Sequence, residues 1–366
     1  MKQNPSTRLR PLLIVVAFLF AFPVLVTPSV VARGVPAVAQ DGTATPAAPV
    51  EYDRTGWPEQ LNCGLFGGDD AEAALEGNEP LAAYLEERLG MPVDYTTGTS
   101  YNAVIESMRA GHTNCGTVGS FSYILAVQEA HAEALAISVS PGADPGQAVY
   151  DPTLRPAYFS VISVKKGSGI DSLDDLRGKT FSFVDPASTS GYLIQSSVLV
   201  AAGIDPESDM ETIFAGSHPT SGLALWNDKV DAAATTETTL INLAKEGQID
   251  YCGFADGIIG KDRTPEEIQA VFDACPDGSV VALSYSSPIP NSPFSVVSSL
   301  PESLKQAIKD ALLDIRNQPE LVASLERWYM DPNIEYNLGL AHLDNYYDPL
   351  REVARVLDLD LQSLEP

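Results

Sequence analysis

The sequence is short of the residues on which metal and nucleophilic chemistry is usually built. It holds four cysteines and four histidines in 366 residues, with no CxxC or HxxxH spacing. A metal centre is therefore not indicated, and no feature calls for an organic cofactor. The GxSxG elbow of serine hydrolases is missing around Ser188–Gly191. Basic residues are few: 22 Lys and Arg face 49 Asp and Glu, a net charge of −27. Such a surface repels nucleic acid and anionic lipid and favours solubility. Any anion site must then rest on local dipoles, because the global field opposes it. No repeat of fixed period occurs, and beyond the N-terminus no apolar run is long enough to span a membrane.

What is present describes an ordinary globular chain, with 45% hydrophobic and 19% charged residues. Its length suits two or three domains, or one two-lobed protein. The N-terminus reads as an export signal. Lys2, Arg8 and Arg10 form the basic region, Leu12 to Val26 is an apolar run broken by Pro23, and Ala37-Val38-Ala39 offers a cleavage site before Gln40. The competing reading is a retained membrane anchor. No cysteine stands at the cleavage site, so a lipid anchor is not supported. Removing residues 1–39 takes away four positive charges and moves the net charge from −27 to −31. Residues 40–56, rich in Ala, Pro, Thr and Gly, read as a flexible linker.

An even number of cysteines in an exported chain points to two disulfides, with three possible pairings. Cys63 and Cys115 lie in strand-like stretches of the first part, and Cys252 and Cys275 flank a later loop. The expected pairs are Cys63–Cys115 and Cys252–Cys275, against free thiols as the alternative.

From Leu61 onward strands and helices alternate. Leu61 to Phe66 reads as a strand. A helix follows over about 80–89, with Asn78 placed to cap it and Gly90 to stop it. Pro92 to Tyr95 is a second strand, and Thr99-Ser100-Tyr101 opens a helix carrying Val104, Ile105 and Met108. Further strands are expected at 115–118, 158–164, 181–184, 213–215, 230–235 and 280–285, a rigid connector at 286–293, and helices near 302–316, 319–329 and 349–357. The rhythm argues for α/β architecture, with mostly parallel sheets flanked by helices. Ligands in such sheets bind beyond the carboxyl ends of the strands.

One stretch concentrates these signals. Phe181-Ser182-Phe183-Val184 is strand-like, Asp185-Pro186 breaks it, and Ser188-Thr189-Ser190 opens a helix running to about Ala202, with Gly203 past its end. Hydroxyls beside the free N–H groups of a first helical turn can cradle an anion. The plainer reading is that they cap their own helix.

Phe183-Val184-Asp185-Pro186-Ala187-Ser188-Thr189-Ser190-Gly191-Tyr192-Leu193 closely resembles the signature of phosphonate- and phosphite-binding proteins of ABC transporters. Tyr101-Asn102-Ala103-Val104-Ile105-Glu106, Gly119 with Ser122-Tyr123, Tyr158 to Ile162, Ala215-Gly216-Ser217-His218, Val230 to Ala233, Ser287 to Asn291 and Tyr347 to Arg351 match in the same order. The resemblance covers about residues 61–358. It implies a two-lobed periplasmic binding protein of the second type with a two-strand hinge. Lobe 1 would comprise 57–158 plus 286–366, and lobe 2 would comprise 159–285. It also implies an inner-membrane ABC permease as partner, a periplasmic or cell-surface location, a monomer, and no enzymatic role.

The resemblance assigns site residues one at a time. Ser188, Thr189 and Ser190 match the oxyanion-holding helix start, and His218 a histidine reaching the same oxyanion. Tyr101 and Tyr158 match ligand-contacting tyrosines, with core packing as their alternative. Glu237 matches one of the carboxylates that hold the ammonium of aminoethylphosphonate; the second falls at Ser292, which carries no charge. The expected ligand is therefore a small phosphorus oxyanion, with phosphite, phosphate and methylphosphonate ahead of aminoethylphosphonate. Two other readings stand beside it: an extracellular sensor domain with a retained anchor, and a serine hydrolase using Ser190, His218 and Glu237.

Overall fold

The computed structural model describes residues 51–68, 70–139, 157–255 and 262–357. The expected export segment, the linker up to residue 50 and the last residues of the chain lie outside the described residues.

In chain order the first part runs β1 (Leu61–Phe66), α1 (Ala71–Glu76), α2 (Glu79–Leu89), β2 (Val93–Gly98), α3 (Tyr101–Arg109), β3 (Cys115–Thr117), α4 (Ser120–Ala130) and β4 (Ala132–Val139). The middle part has β5 (Ala157–Tyr158), β6 (Ser160–Lys165), β7 (Thr180–Phe183), α5 (Ile194–Ala201), β8 (Glu211–Phe214), α6 (His218–Trp226), β9 (Ala232–Thr236), α7 (Glu237–Lys245), β10 (Tyr251–Cys252), α8 (Pro265–Ala274) and β11 (Val280–Tyr285). The chain then passes β12 (Ile289–Pro290), β13 (Pro293–Val297), α9 (Glu302–Asp314), α10 (Pro319–Leu325), β14 (Trp328–Met330), α11 (Pro332–Glu335) and α12 (Asp348–Val356).

Two six-stranded sheets organise these elements, in the orders β14-β4-β13-β3-β1-β2 and β10-β11-β6-β9-β7-β8. They are more mixed than the strand–helix rhythm implies. β1 pairs parallel with β2 and β3, and β7 parallel with β8 and β9. β13 runs antiparallel to β3 and β4, and β6 antiparallel to β9 and β11. The returning strands account for this: β13 comes from the stretch after residue 285, so it enters the first sheet from the opposite direction. A two-stranded ladder of β5 and β12 sets Tyr158 against Ile289 where the chain passes between the sheets.

Local sequence explains most elements. α3 starts because Ser100 Oγ accepts from Ala103 N at 3.1 Å, and Val104, Ile105 and Met108 bury its apolar stripe. α2 buries Leu81, Leu85 and Leu89 and stops at Gly90, whose φ of 62° suits a residue without Cβ. Asn78 stands at the start of α2, but its side chain makes no cap bond there. Its Nδ2 donates instead to Ala74 O at 2.7 Å.

β4 and β14 were not legible as strands. β4 is rich in alanine, and only the turn at His131, with φ of 51°, separates it from α4. The expected connector over 286–293 contains β12 and the first residue of β13. β6, buried along most of its length, lies between β9 and β11. Both disulfides form as expected. Cys63 and Cys115 face each other on neighbouring strands, with Cα atoms 4.4 Å apart. Cys252–Cys275 ties the end of β10 to the end of α8. Among the described residues no helix is long and apolar enough to cross a membrane.

Candidate functional site

The parallel strands of both sheets point their carboxyl ends at one cavity of about 430 Å³. The first sheet supplies Phe66 at the end of β1, Thr117 at the end of β3 and Ser138 near the end of β4. The second supplies Ser188, Thr189 and Ser190 after β7, His218 after β8 and Thr236 at the end of β9. This is where an open α/β sheet exposes its helix starts.

The turn after β7 is unusual. Thr189–Leu193 forms a single π-helical turn that leads directly into α5. Such turns widen a helix start and often occur at functional positions. Ser188 Oγ accepts from Gly191 N at 3.1 Å, so it does cap the turn. Val184 N donates to Gly191 O at 3.0 Å, which presses the turn against the strand end. Gly191 is required there: a Cβ would lie 2.3 Å from the Val184 side chain. Ala187, Leu193 and Ile194 also belong to the core formed around α4 and α12.

Thr189 and Ser190 have further partners. Thr189 Oγ1 accepts from Phe121 N at 2.7 Å, which joins the turn to the start of α4. Ser190 Oγ lies 3.3 Å from His218 Nε2, and His218 Nδ1 lies 3.3 Å from Thr235 Oγ1. Burial lowers the His218 pKa from 6.5 to about 4, so the imidazole is neutral at physiological pH. A neutral ring can still donate one N–H. The Tyr101 hydroxyl contacts Ser188, and the Tyr158 hydroxyl contacts Ser190, Thr189 and Ser120. Burial raises both phenols, so both stay protonated donors. Tyr101 also stacks on Phe66 with ring centroids 4.3 Å apart. The result is a cluster of neutral O–H and N–H donors, in which no Lys or Arg takes part among the described residues.

Seven of the eight residues singled out from the sequence line this cavity: Tyr101, Tyr158, Ser188, Thr189, Ser190, His218 and Ser292. Glu237 does not. It is buried at the start of α7, and its Oε1 accepts from the Tyr285 hydroxyl at 3.0 Å. Its neighbours Thr236 and Thr238 line the cavity instead. The described lining residues therefore include no Asp or Glu. Asp185 lies just behind the turn, where its Oδ1 accepts from Ala187 N at 2.8 Å and burial raises its pKa. Tyr123 packs: its ring is buried and its hydroxyl donates to Asp344 at 2.8 Å. A hydrolytic triad is not assembled, because the partner of His218 Nδ1 is a threonine hydroxyl rather than a carboxylate.

Several lining residues were not singled out as site residues, among them Asn78, read as a helix cap, Asn291, read only within a matching motif, and Arg327. They sit at junctions between elements, and only the sheet order brings them to the cavity.

Residues 66–337 match the family described as ABC transporter, phosphonate, periplasmic substrate-binding protein. The chain belongs to that family. The phosphate-import protein PhnD of Mycolicibacterium smegmatis is 30% identical over 219 residues, covering 56% of this chain and 65% of that protein. The phosphonates-binding periplasmic protein of Escherichia coli is 27% identical over 272 residues, covering 73% of this chain and 69% of that protein. The chain thus spans about two thirds of the length of these curated relatives. Among solved structures, PhnD1 of Prochlorococcus marinus in complex with methylphosphonate superposes with a TM-score of 0.59 at 16% identity, over 82% of this chain and 99% of that one. A phosphonate-transporter binding protein from Pseudomonas aeruginosa gives 0.57 at 21%, over 83% and 96%. These likenesses show the fold, that of type II periplasmic binding proteins.

Proposed function

We propose that the protein captures a small phosphorus oxyanion in this cavity and delivers it to an ABC permease. The observation that carries the reading is the convergence of Ser188, Thr189, Ser190, Tyr101, Tyr158 and His218 on one wall beside a helix start. Neutral donors and a helix dipole hold an oxyanion without requiring a cation. That arrangement suits a chain whose overall charge is −27. The relatives named for phosphate import and for phosphonate binding support the ligand class.

Within that class, phosphite, phosphate and methylphosphonate rank ahead of aminoethylphosphonate. Support comes from the absence of a carboxylate among the described lining residues, since an ammonium group would lose its hydration there without a charge partner. The lobes are 57–158 plus 286–366 and 159–285, closing about the strands near Tyr158 and Ser284. The protein is exported, is cleaved near Ala39 or anchored there, and acts as a monomer.

A thermal-shift panel of phosphite, phosphate, methylphosphonate, aminoethylphosphonate and sulfate tests the reading, because a ligand that binds only the native state raises the melting temperature. Upward shifts with the first three are expected. No shift with any phosphorus oxyanion would refute the proposal, and a larger shift with aminoethylphosphonate than with the first three would refute the ranking.

A further inference from the structure

The cavity wall carries one fixed positive charge that the oxyanion reading leaves unused. Arg327 stands immediately before β14, which pairs antiparallel with β4 so that Trp328 faces Val139. This places it on the same sheet edge as Phe66 and Ser138, and it lines the cavity. Its Nε donates to the Tyr329 hydroxyl at 3.1 Å, Nη1 to Leu325 O at 3.5 Å and Nη2 to Asn78 Oδ1 at 2.5 Å. All three acceptors are neutral. Among the described residues no carboxylate pairs with it. Burial works against its charge, but the neighbouring Tyr329 and Tyr95 more than offset it, so its pKa is raised and the guanidinium stays charged.

Asn78 has given up its expected capping role, and its side chain bridges Ala74 O and this guanidinium. A guanidinium presents five donors in a planar fork. Three are engaged here, which leaves one on each terminal nitrogen. Arg327 shares no hydrogen-bond partner with the Ser188–Ser190, Tyr101, Tyr158 and His218 cluster, so it marks a separate point on the wall. A cavity of about 430 Å³ also has room for more than a bare tetrahedral ion, given that a water takes about 30 Å³ of liquid volume.

We infer that Arg327 is a second recognition point, selecting phosphonates that carry a second anionic group, the simplest being a carboxylate on a short alkyl chain. This rests on the oxyanion reading above, with the phosphonate head held by the neutral donors and the carboxylate reaching the free edge of the fork. With only neutral partners among the described residues, the guanidinium still has a charge partner to gain from an anionic ligand group. The fork matches a carboxylate in two parallel bonds. The same charge disfavours an ammonium tail.

Calorimetric titration of the full chain with ethylphosphonate, phosphonoacetate, 3-phosphonopropionate and aminoethylphosphonate tests this, on the wild type and on Arg327→Gln. At least one carboxyalkyl phosphonate is expected to bind the wild type about tenfold or more tighter than ethylphosphonate, as one charged hydrogen-bonded pair provides. In Arg327→Gln the ratio of carboxyalkyl-phosphonate to ethylphosphonate affinity falls to about one. Equal affinities in the wild type overturn the inference, whether or not the variant folds. A preference that survives Arg327→Gln overturns it too, as does a variant that loses all ligands alike, because Arg327 would then act on the head. If ethylphosphonate binds and the carboxylate adds nothing, only this inference fails; if no phosphorus compound binds at all, the proposed function fails with it.

Discussion

His218 shows how a single side chain ties the site to pH. Its folded pKa of about 4 lies below the ordinary 6.5, so the unfolded chain takes up the proton more readily. Its neutral form therefore supports the fold fully above pH 6.5, and that support is lost as pH falls from 6.5 toward 4. Thermal melts of wild type and His218→Gln between pH 7 and 4 check this: the wild type should lose more stability over the window than the variant does, and parallel curves would count against it. A bound oxyanion beside Nε2 reverses part of the shift, because negative charge favours imidazolium.

At the same scale, the candidate site residues could be picked out only through their order along the chain. A lone Ser-Thr-Ser looks like a cap, and Ser188 does cap. Its neighbours differ: Thr189 is bonded across to Phe121 and Ser190 lies against His218. Glu237 stands apart from the cavity lining. Its position at the helix start matches the family pattern, but the nearby Tyr285 hydroxyl gives it a partner away from the cavity.

At the level of elements, the turn after β7 depends on one residue that cannot be replaced by alanine without displacing the chain just past the strand. A Cβ at Gly191 meets the Val184 side chain at 2.3 Å, and Val184 directly follows β7 where the chain enters the turn. Gly191→Ala is expected to cost about 1–3 kcal/mol of stability, as overpacking does. It should also weaken ligand binding by moving the Ser188–Ser190 donors. Chemical denaturation and a ligand titration of the folded fraction measure both effects, and a variant with unchanged midpoint and affinity would contradict the packing argument.

The elements that sequence revealed are those with a strong local signal: α2 and α3 from their apolar stripes and stop glycines, and β7 from its aromatic residues. β4 lacked such a signal, because its alanines are compatible with either helix or strand. Its pairing with β13 and β14 is decided by long-range contacts. Arg327 was invisible for the same reason, since it reaches the cavity only through the β4–β14 register.

Over the whole molecule, two disulfides each brace one sheet. Their sequence separations are 52 and 23, which in the chain-entropy picture contribute roughly 4 and 3 kcal/mol respectively. Replacing Cys63 and Cys115 together by alanine should therefore destabilise the protein more than replacing Cys252 and Cys275. Urea midpoints of the two double variants rank them, and the opposite order would show that local packing outweighs loop closure. The overall charge of −27 acts at this scale as well. It keeps distant anions unattracted, so selectivity rests on short-range donors inside the cavity rather than on steering.

The central claim is that the neutral donors at the start of the π-turn hold a phosphorus oxyanion. Isothermal titration of the full chain with methylphosphonate, alongside Ser190→Ala, tests it most directly. Saturable one-to-one binding to the wild type is expected. The variant should lose about tenfold to a hundredfold in affinity, the range for one hydrogen bond to a charged group. Binding of equal strength in both proteins would contradict it.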